Sequence, residues 1–251
     1  MVELSKKILK NVGKTNANYG LIKEGDKVVV GLSGGKDSLT LVHAIKHIHR
    51  VAPFDFEYKA VTIDYGMGEN FDKLIAHTKE HDIPHEIYDT EIFDIVKENI
   101  RENSSSCSFF SRMRRGALYS ATEKLGFNKL ALGHHFDDAV ESYFMNIFYN
   151  GSMRSMPPIY KAGNGLYVIR PLIMVRERQL IDAALNNNMP TIGDETCPSQ
   201  HFMEKQPYNR MKTKQFLAKL EEENGNIFTS FKAAFEHIHD DTFLDKSRYK
   251  L

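Results

Sequence analysis

An α/β fold built on a parallel sheet is predicted for this chain of 251 residues. Short β-branched runs alternate along it with longer stretches whose apolar residues recur at helical spacing. The first run, residues 28–32, leads through a glycine-rich turn straight into a helical pattern. Strands that alternate with helices are joined by right-handed crossovers, so the sheet is expected to be parallel.

The strands of this sheet are expected in the first 132 residues, with helices between and after them. The strand signals lie at residues 28–32, 56–64, 85–88 and 129–132. The helical patterns run to about residue 50 and then cover about residues 70–81, 92–100, 111–125 and 140–149. The serine run 104–106 is expected to break a helix and Gly126 to end one. With a strand order of 3-2-1-4-5, the first and fourth strands flank the crevice in which such sheets bind ligands.

The pattern changes at both ends of the chain. Residues 1–10 alternate charged and apolar side chains and predict an amphipathic helix that lies on the domain. Beyond residue 150, prolines and glycines predict a hairpin or extended segment up to Pro171. Helices are expected at about residues 176–185, 210–222 and 228–237. The chain is therefore divided into an N-terminal helical segment 1–24, an α/β domain 25–190 and a C-terminal helical extension 191–251.

The composition allows a normal core and gives no net charge. Hydrophobic residues make up 41% of the chain, and 33 basic side chains balance 33 acidic ones. Residues 54–102 carry 13 acidic and 5 basic side chains, whereas residues 107–180 carry 10 basic and 5 acidic ones. Such an asymmetry suits a polyanion that approaches from one side, although solvated helix faces explain it equally well.

Sequence features that direct a protein to or across a membrane are not found. No apolar run approaches the roughly 20 residues that cross a bilayer, and the first ten residues lack the apolar core of a signal peptide. We therefore expect a cytoplasmic protein whose thiols stay reduced. By residue type alone, Cys107 and Cys197 are most simply explained as inert core thiols.

The turn after the first strand has the composition of a phosphate-binding loop. Adjacent glycines let backbone N–H groups face an anion, lysine adds a positive charge, and serine hydroxyls donate to phosphate oxygens. The helix N-terminus that follows favours the same anion. The spacing is not that of the Walker pattern, and an ordinary strand-to-helix turn is the competing interpretation. The loop residues are Ser33, Gly34, Gly35, Lys36, Asp37 and Ser38.

This hexapeptide resembles the SGGxDS signature of the PP-loop ATP pyrophosphatases, which cleave ATP between its α- and β-phosphates and leave AMP on a substrate oxygen. The rest of the chain is similar to one branch of that superfamily, the tRNA 2-thiocytidine synthetases. Residues 107–116 resemble the family's CxxCSRxRRG segment, and residues 133–138 its GHHxDD motif. Shorter matches follow in order at residues 148–151, 156–158, 168–172, 175–177 and 197–200. The resemblance implies a Rossmann-like fold of the adenine nucleotide alpha hydrolase type.

The resemblance also implies a site for ATP at the carboxyl ends of three strands. The glycine-rich loop would hold the phosphates, with Lys36 and Asp37 acting in catalysis. Ile63 and Asp64, at the end of the second strand, would border the adenine and ribose. Gly133 and His134, after the fourth strand, would complete the nucleotide site.

A magnesium ion is expected beside the phosphates. Mg²⁺ in nucleotide sites is held by one or two carboxylates together with phosphate oxygens and water. Asp37 and Asp138 are the expected ligands, and Asp137 is an alternative to Asp138 that the sequence does not separate.

By the same resemblance, the reaction is the thiolation of tRNA in two halves. The C2 carbonyl oxygen of cytidine 32 attacks the α-phosphorus of ATP and releases pyrophosphate, while Lys36, Mg²⁺ and the loop amides stabilise the developing charge. Sulfur then replaces AMP at C2. A cysteine desulfurase or sulfide would donate the sulfur.

The cysteines depart from the family's pattern, in which three of them hold a [4Fe-4S] cluster. Only Cys107 and Cys197 match, Phe110 stands where the second cysteine of the CxxC pair is expected, and Asp194 occupies another position that is often cysteine. Three alternatives stay open. The cluster is held by the two thiolates and a ligand such as Asp194, or one cysteine carries a persulfide and the other resolves it as a disulfide, or thiolation has been lost.

The partner implied by the resemblance is tRNA, gripped through its phosphates by basic side chains. The arginines nearest Cys107 would also lower the pKa of its thiol. Phe109 and Phe110 are expected to pack in the core, with stacking on a flipped-out base as the alternative. A homodimer is typical of the family. The basic set comprises Arg112, Arg114, Arg115, Arg154, Lys161, Arg176, Arg178, Arg210, Lys212 and Lys214.

Two other functions compete with thiolation. One is a different adenylating ligase or amidase that acts on tRNA or on a small molecule, and Phe110 weakly favours it. Residues 111–116 and 156–158 speak against it. The other is a non-catalytic nucleotide- or RNA-binding module, which has no need of the intact Lys36, Asp37 and Asp138.

Overall fold

The computed structural model describes residues 2–99, 106–192, 208–239 and 242–244. The chain divides into two compact units. The first consists of Met1–Ala139 with Ser155–Pro207, and the second of Val140–Arg154 with Tyr208–Leu251. The segment bounds 1–24, 25–190 and 191–251 remain predictions.

The first unit contains a six-stranded sheet in the order β3-β2-β1-β4-β6-β5. Its strands are β1 Lys27–Gly31, β2 Glu57–Asp64, β3 His85–Asp89, β4 Lys129–Ala131, β5 Ile159–Lys161 and β6 Tyr167–Ile169. The first five in spatial order are parallel, and β5 pairs antiparallel with β6 at the edge. The predicted parallel α/β fold is confirmed. The predicted order 3-2-1-4 is also confirmed, and the fifth parallel position is taken by the second strand of the expected hairpin.

The helices follow the predicted pattern, with two informative differences at their starts. They are α1 Lys6–Tyr19, α2 Lys36–Val51, α3 Asp72–Glu80, α4 Ile92–Asn99, α5 Ser106–Lys124, α6 Phe136–Asn150, α7 Glu177–Asn186, α8 Tyr208–Glu223 and α9 Ile227–Glu236. Helix α5 begins at the serine run that was expected only to break a helix, since serine is also favoured at helix N-termini. Helix α6 begins before Asp137 and Asp138, so both carboxylates lie in its first turn.

The N-terminal helix begins later and extends further than residues 1–10. Ser5 caps it by accepting the Ile8 N–H at 3.3 Å, and Gly20, with φ of 58°, ends it in the left-handed conformation. Ile8 and Val12 are buried in the main core. The expectation that this helix lies on the domain is thus correct, while its predicted bounds were wrong.

Alternate side chains of β1 point into two different cores. Val28 and Val30 join apolar side chains of α1, α2 and α7. Val29 instead joins residues of β2 and β4 and of α4 and α5. Strands buried on both faces read as continuous apolar runs, which is why β1 shows no alternation in the sequence.

A buried ion pair joins the starts of the two central strands. Lys129 Nζ lies 2.6 Å from Asp26 Oδ2 and also donates to the Leu21 carbonyl at 2.7 Å. Burial raises the pKa of Asp26, but hydrogen bonds from Lys129, Asn128 and the Lys23 N–H outweigh it and lower that pKa. The pair therefore fixes β4 beside β1 at their amino ends, with the carboxyl ends adjacent as well.

The second unit is held together by aromatic side chains. Phe144 of α6 contacts the rings of Phe216 in α8 and Phe231 in α9, with centroids 5.8 and 5.3 Å apart. Arg210 Nε also pairs with Glu141 Oε2 at 3.0 Å. The helices of the predicted C-terminal extension thus pack with residues of α6 in one unit. Across the part of the chain that is described, no helix is both long and apolar enough to cross a membrane.

Candidate active site

The glycine-rich loop bends sharply between β1 and α2. Gly34 has φ of +79°, and a Cβ atom there would lie 2.7 Å from Ile192 Cδ1. The Ile192 N–H donates to the Gly34 carbonyl at 2.9 Å. Gly35 is the N-cap of α2 and provides no side-chain cap. The first N–H groups of α2 are consequently left to other acceptors, which is the arrangement that binds anions at helix N-termini.

The two serines of the loop stabilise its shape. Ser38 Oγ accepts hydrogen bonds from the Ser33 N–H at 3.1 Å and the Ser33 hydroxyl at 3.2 Å, and it donates to the Gly35 carbonyl at 2.9 Å. Ser38 is buried, whereas Ser33 is exposed. The structure thus places Ser38 inside the loop and Ser33 at its surface.

The end of β4 lies directly against the loop. A Cβ atom at Gly133 would lie 3.2 Å from the carbonyl carbon of Asp37 and from the backbone nitrogen of Ser38. The sequence separates these residues by about a hundred positions, and the parallel β1–β4 pairing brings them together. The predicted juxtaposition of the loop with residues 133–138 is therefore present.

Lys36 is held between two carboxylates. Its Nζ lies 3.3 Å from Asp37 Oδ2 and 3.3 Å from Glu177 Oε1. Burial lowers the pKa of Lys36, but the charges of Asp37 and Glu177 outweigh burial and raise it above its ordinary value. Lys36 is therefore a fixed positive charge. Glu177 was not among the predicted site residues, although it belongs to the quoted motif 175–177.

Asp37 has an oxygen that lacks a protein partner. Its Oδ1 is buried and accepts no hydrogen bond, and its Oδ2 lies 4.0 Å from His135 Nε2. The same His135 nitrogen lies 3.4 Å from Asp138 Oδ2. Burial raises the pKa of Asp37 above its ordinary value, with the Asp138 charge adding to it and Lys36 and His135 opposing it. A cation would compensate the unpartnered oxygen, so this pair of carboxylates fits Mg²⁺.

His135 and Asp138 also cap helix α6 reciprocally. The His135 N–H donates to Asp138 Oδ2 at 3.1 Å, and the Asp138 N–H donates to His135 Nδ1 at 3.3 Å. The neutral ring therefore carries its proton on Nε2, the nitrogen nearer Asp37. Sequence reasoning named His134 and overlooked His135, although its place three residues before Asp138 is the spacing of a capping box.

Asp137 has different partners and a different role. Its carboxylate accepts from Arg176 Nε at 3.1 and 3.2 Å and from the Glu177 N–H at 2.7 Å. These bonds join the first turn of α6 to the start of α7. Arg176, which was expected to contact RNA, is paired with Asp137 and half-buried. The geometry favours Asp138 over Asp137 as the second carboxylate beside Asp37.

His134 is oriented by a buried arginine. Arg170 Nε donates to His134 Nδ1 at 3.3 Å, and Arg170 Nη1 donates to the Pro157 carbonyl at 2.7 Å. The guanidinium also lies over the Tyr160 ring, 5.1 Å from its centroid. Because Nδ1 accepts, the neutral His134 ring carries its proton on Nε2.

The end of β2 has backbone groups directed past the end of β1. Glu57 donates to Asp26, and Val61 accepts from Leu32, so the odd-numbered residues of β2 face β1. By the alternation of a strand, Ile63 faces the same side, beyond Gly31, where β1 has ended. The next residue, Asp64, faces β3, where its carbonyl accepts from the Thr90 N–H at 3.0 Å.

The predicted sulfur-handling residues are only partly described. Cys107 lies in the first turn of α5, but its side chain, Asp194 and Cys197 all lie outside the described residues. Phe110 is 4% exposed and packs edge-to-face on Tyr65, with centroids 4.8 Å apart. The core packing expected of Phe110 is therefore confirmed, and it brings the start of α5 to the end of β2.

The predicted RNA-contacting residues are mostly at the surface. On α5, three arginines are exposed, and Arg112 lies over the Phe109 ring at 5.6 Å. Arg154 and the basic residues of α8 are exposed in the second unit. The exposed set is Arg112, Arg114, Arg115, Arg154, Lys161, Arg178, Arg210, Lys212 and Lys214.

Comparison with known proteins agrees with this geometry. Residues 3–212 match the model of the PP-loop domain. The chain is 40% identical to the tRNA-cytidine(32) 2-sulfurtransferase of Geobacter sulfurreducens over 98% of its own length and 95% of that protein. The chain belongs to the tRNA-cytidine(32) 2-sulfurtransferase family of PP-loop proteins. The family resemblance inferred from the motifs is thereby confirmed.

Further members of this family and one solved structure extend the comparison. The sulfurtransferase of Geobacter metallireducens is also 40% identical, with 96% of this chain and 93% of that protein covered. The U34-tRNA thiolase NcsA of Methanococcus maripaludis, solved with its [4Fe-4S] cluster, superposes with a TM-score of 0.72 at 22% identity. That match covers 98% of this chain and 85% of NcsA, and it shows a shared fold.

Because Gly34 forms the tight turn, substitution of Gly34 should destabilise the protein more than substitution of the adjacent Gly35. Gly34→Ala introduces a left-handed alanine and a contact with Ile192, so we expect the free energy of unfolding to fall by about 2 kcal/mol. Gly35→Ala is the matched control, because Gly35 has φ of −75° and its added Cβ would meet Ser33 Oγ at 3.7 Å. It should change stability by no more than about 0.5 kcal/mol. Chemical denaturation of both variants checks this, and equal losses would contradict the described loop.

Proposed function

We propose that this protein is an ATP-dependent tRNA sulfurtransferase that adenylates C2 of cytidine 32 and replaces its oxygen with sulfur. The observation that carries the proposal is the buried, unpartnered oxygen of Asp37 beside Asp138, at the uncapped start of α2. It occurs in a chain 40% identical, over nearly its whole length, to tRNA-cytidine(32) 2-sulfurtransferases.

The phosphates of ATP would lie on the loop of residues 33–38. Three features support this: the free N–H groups at the start of α2, the ammonium of Lys36 and the bend at Gly34. Asp37 and Asp138 would hold Mg²⁺, which when bound neutralises phosphate charge and makes pyrophosphate a better leaving group. The Lys36–Glu177 ion pair keeps the ammonium in place before the nucleotide arrives.

The adenosine would lie at the end of β2. The backbone N–H and C=O of Ile63 face the gap where β1 has ended, and such a pair of groups matches the donor and acceptor edge of adenine. Asp64 is the neighbouring polar side chain, and its Oδ1 accepts from the Gly66 N–H at 2.8 Å. On the opposite side of the loop, the Nε2–H of His134 would donate to a phosphate or ribose oxygen.

Adenylation would proceed by direct attack on ATP. The C2 carbonyl oxygen of the cytidine forms a bond to the α-phosphorus, and the bond from that phosphorus to the α,β-bridging oxygen breaks. Pyrophosphate leaves with the bonding electrons. Lys36 and the loop amides stabilise the negative charge that grows on the phosphoryl oxygens, and they are in place before the reaction begins.

The residues of this chain do not fit a [4Fe-4S] cluster. Such clusters are held by cysteine thiolates, and the sequence contains two cysteines in total. The position that would supply the second thiolate of the pair is Phe110, whose ring is buried against Tyr65 and offers no ligand atom. The proposed sulfur transfer therefore involves no iron–sulfur cluster.

Sulfur transfer would instead use the two cysteines as a redox pair. The terminal sulfur of a cysteine persulfide attacks C2, and AMP leaves as the C2–O bond breaks. The thiolate of the other cysteine then attacks the sulfur still attached to the enzyme, which releases 2-thiocytidine and leaves a Cys107–Cys197 disulfide. A dithiol reductant restores both thiols, and a cysteine desulfurase then transfers the outer sulfur of its own persulfide to one of them. Sulfide would instead attack the disulfide directly, which breaks the S–S bond and leaves a persulfide on one cysteine and a thiolate on the other.

The tRNA would bind across the exposed arginines of α5. Arg112, Arg114 and Arg115 follow Cys107 on one helix and would also favour its thiolate. Their contacts would be to phosphates, so affinity would fall steeply with salt. A cytoplasmic location suits the reducing step, and dimerisation stays a prediction.

The carboxylate assignment is tested by two neighbouring substitutions. Asp138→Asn removes a proposed Mg²⁺ ligand but keeps an oxygen for the His135 N–H, so the Mg²⁺ concentration for half-maximal pyrophosphate release should rise about tenfold or more. Asp137→Asn should leave that requirement unchanged and lower thermal stability, because it weakens the bonds to Arg176 and Glu177. A raised Mg²⁺ requirement in Asp137→Asn but not in Asp138→Asn would show that Asp137 is the metal ligand and would contradict the assignment.

The sulfur route is tested by Cys107→Ser and Cys197→Ser. Both variants should release pyrophosphate with tRNA and ATP in the first turnover at the wild-type rate. Neither should release 2-thiocytidine from an enzyme preloaded with persulfide, as nucleoside mass spectrometry without added thiol would record. The variant that lacks the resolving cysteine should accumulate a tRNA–enzyme adduct that thiols cleave. A Cys107→Ser enzyme that still forms 2-thiocytidine would contradict the route. Iron bound stoichiometrically to the wild-type protein after anaerobic reconstitution would contradict it as well.

A further inference from the structure

Three histidines cluster between α2 and the end of α3, away from the nucleotide loop. His43 lies on α2, His77 lies in the last turn of α3, and His81 is the residue that follows α3. One nitrogen from each lies within 4.8 Å of the other two. The ring centroids are 4.5 to 5.1 Å apart. His43 stands seven residues after Lys36, about 10 Å along the helix, so the cluster is separate from the ATP site.

The three imidazole side chains of the cluster are suitable ligands for a divalent transition-metal ion. Burial lowers the pKa of His43 to about 3, with His77, His81 and Lys46 adding to the effect. Burial also lowers the pKa of His77, with His81 adding to it and Glu80 opposing it. Both rings are therefore neutral near pH 7, the state in which imidazole binds metals. Three imidazoles suit zinc, copper, nickel or iron rather than magnesium or calcium.

The geometry is close to that of a bound site. Tetrahedral zinc with bonds of about 2.0–2.1 Å separates its ligand atoms by about 3.4 Å. The His43 Nε2 to His77 Nε2 distance is 2.8 Å, so these two rings would separate slightly. The His81 nitrogen lies within 4.8 Å of the other two, so it would approach by at most about 1.4 Å. His43 and His77 are buried, while His81 is half-buried.

The backbone that carries His81 is already fixed against α2. The His81 N–H donates to the His77 carbonyl at 3.1 Å, and the Lys46 ammonium donates to the His81 carbonyl. The charge of Lys46 is thus engaged with a carbonyl, while Glu80 adds a negative charge near His77. The three ligands would need only ring movements to close on an ion.

We propose that His43, His77 and His81 bind one divalent transition-metal ion of the zinc type, which cross-links α2 to the end of α3. The alternative is a metal-free cluster in which His43 and His77 share one hydrogen bond between neutral rings. The proposal is independent of the function proposed above. It predicts that metal stabilises the fold even in a protein that is inactive.

The test is titration of the chelator-treated full chain with Co²⁺ and Zn²⁺ in excess Mg²⁺, which occupies the carboxylate site. The Cys107→Ser/Cys197→Ser background removes thiolate binding. We expect one equivalent of Co²⁺ with the visible spectrum of four or five nitrogen and oxygen ligands, displaced by Zn²⁺, and a higher melting temperature with either ion. His81→Gln should weaken binding about tenfold or more and remove the thermal shift.

Two further variants serve as a control outside the cluster and as a second test of its ligands. His47→Gln changes a histidine of the same helix that lies outside the cluster, and it should bind like the parent. His43→Gln should bind as weakly as His81→Gln, provided that its circular dichroism shows a folded chain. Absence of stoichiometric Co²⁺ binding would overturn the proposal, and so would equal binding by the parent and His81→Gln, the result of an adventitious ion.

Discussion

Gly133 approaches the backbone of residues 37 and 38 so closely that a side chain there would lie 3.2 Å from two main-chain atoms. This contact requires β4 to run parallel to β1 at its side, and the buried Lys129–Asp26 pair fixes the same two strands at their other ends. The nucleotide loop, the capping histidine and both carboxylates take their positions from this pairing. A substitution that separated these two strands would therefore disrupt the geometry of the site as well as the pairing of the sheet.

Three helices begin at this edge of the sheet, and each carries an acid in its first turn. Asp37 opens α2, Asp137 and Asp138 open α6, and Glu177 opens α7. Carboxylates are stabilised at helix N-termini, yet they would repel a polyphosphate if nothing compensated them. Lys36 and Arg176 neutralise Glu177 and Asp137. Lys36 also pairs with one oxygen of Asp37, but the other oxygen is buried without a hydrogen-bond partner, and a divalent cation would bind there beside Asp138.

The nucleotide loop and the order of the central strands follow from the sequence because they depend on local signals. A β-branched run, two glycines and a helical pattern specify the turn, and alternation specifies a parallel sheet. The start of α6 was missed because it depends on a reciprocal cap between His135 and Asp138, and histidine is an uncommon capping residue. The start of α5 was missed because a serine run serves equally as a breaker and as a helix start.

Contacts between residues that are far apart in the sequence could not be predicted from it. Asp137 and Asp138 are adjacent, and only Arg176, some forty positions away, separates their roles. Glu177 reaches Lys36 across 141 positions of the sequence. The histidine cluster was likewise hidden, because His43 and His77 meet only when α2 and α3 lie on the same face of the sheet.

The central claim is that this site adenylates cytidine 32 of tRNA, and one measurement tests it most directly. Pyrophosphate release from ATP and Mg²⁺ is followed without oxygen, with a tRNA that carries cytidine 32 and with the same tRNA carrying uridine there. The account predicts strong stimulation by the first RNA, little by the second, and none with a Lys36→Ala enzyme that remains folded. Equal release with both RNAs, or release that is independent of RNA, would contradict it.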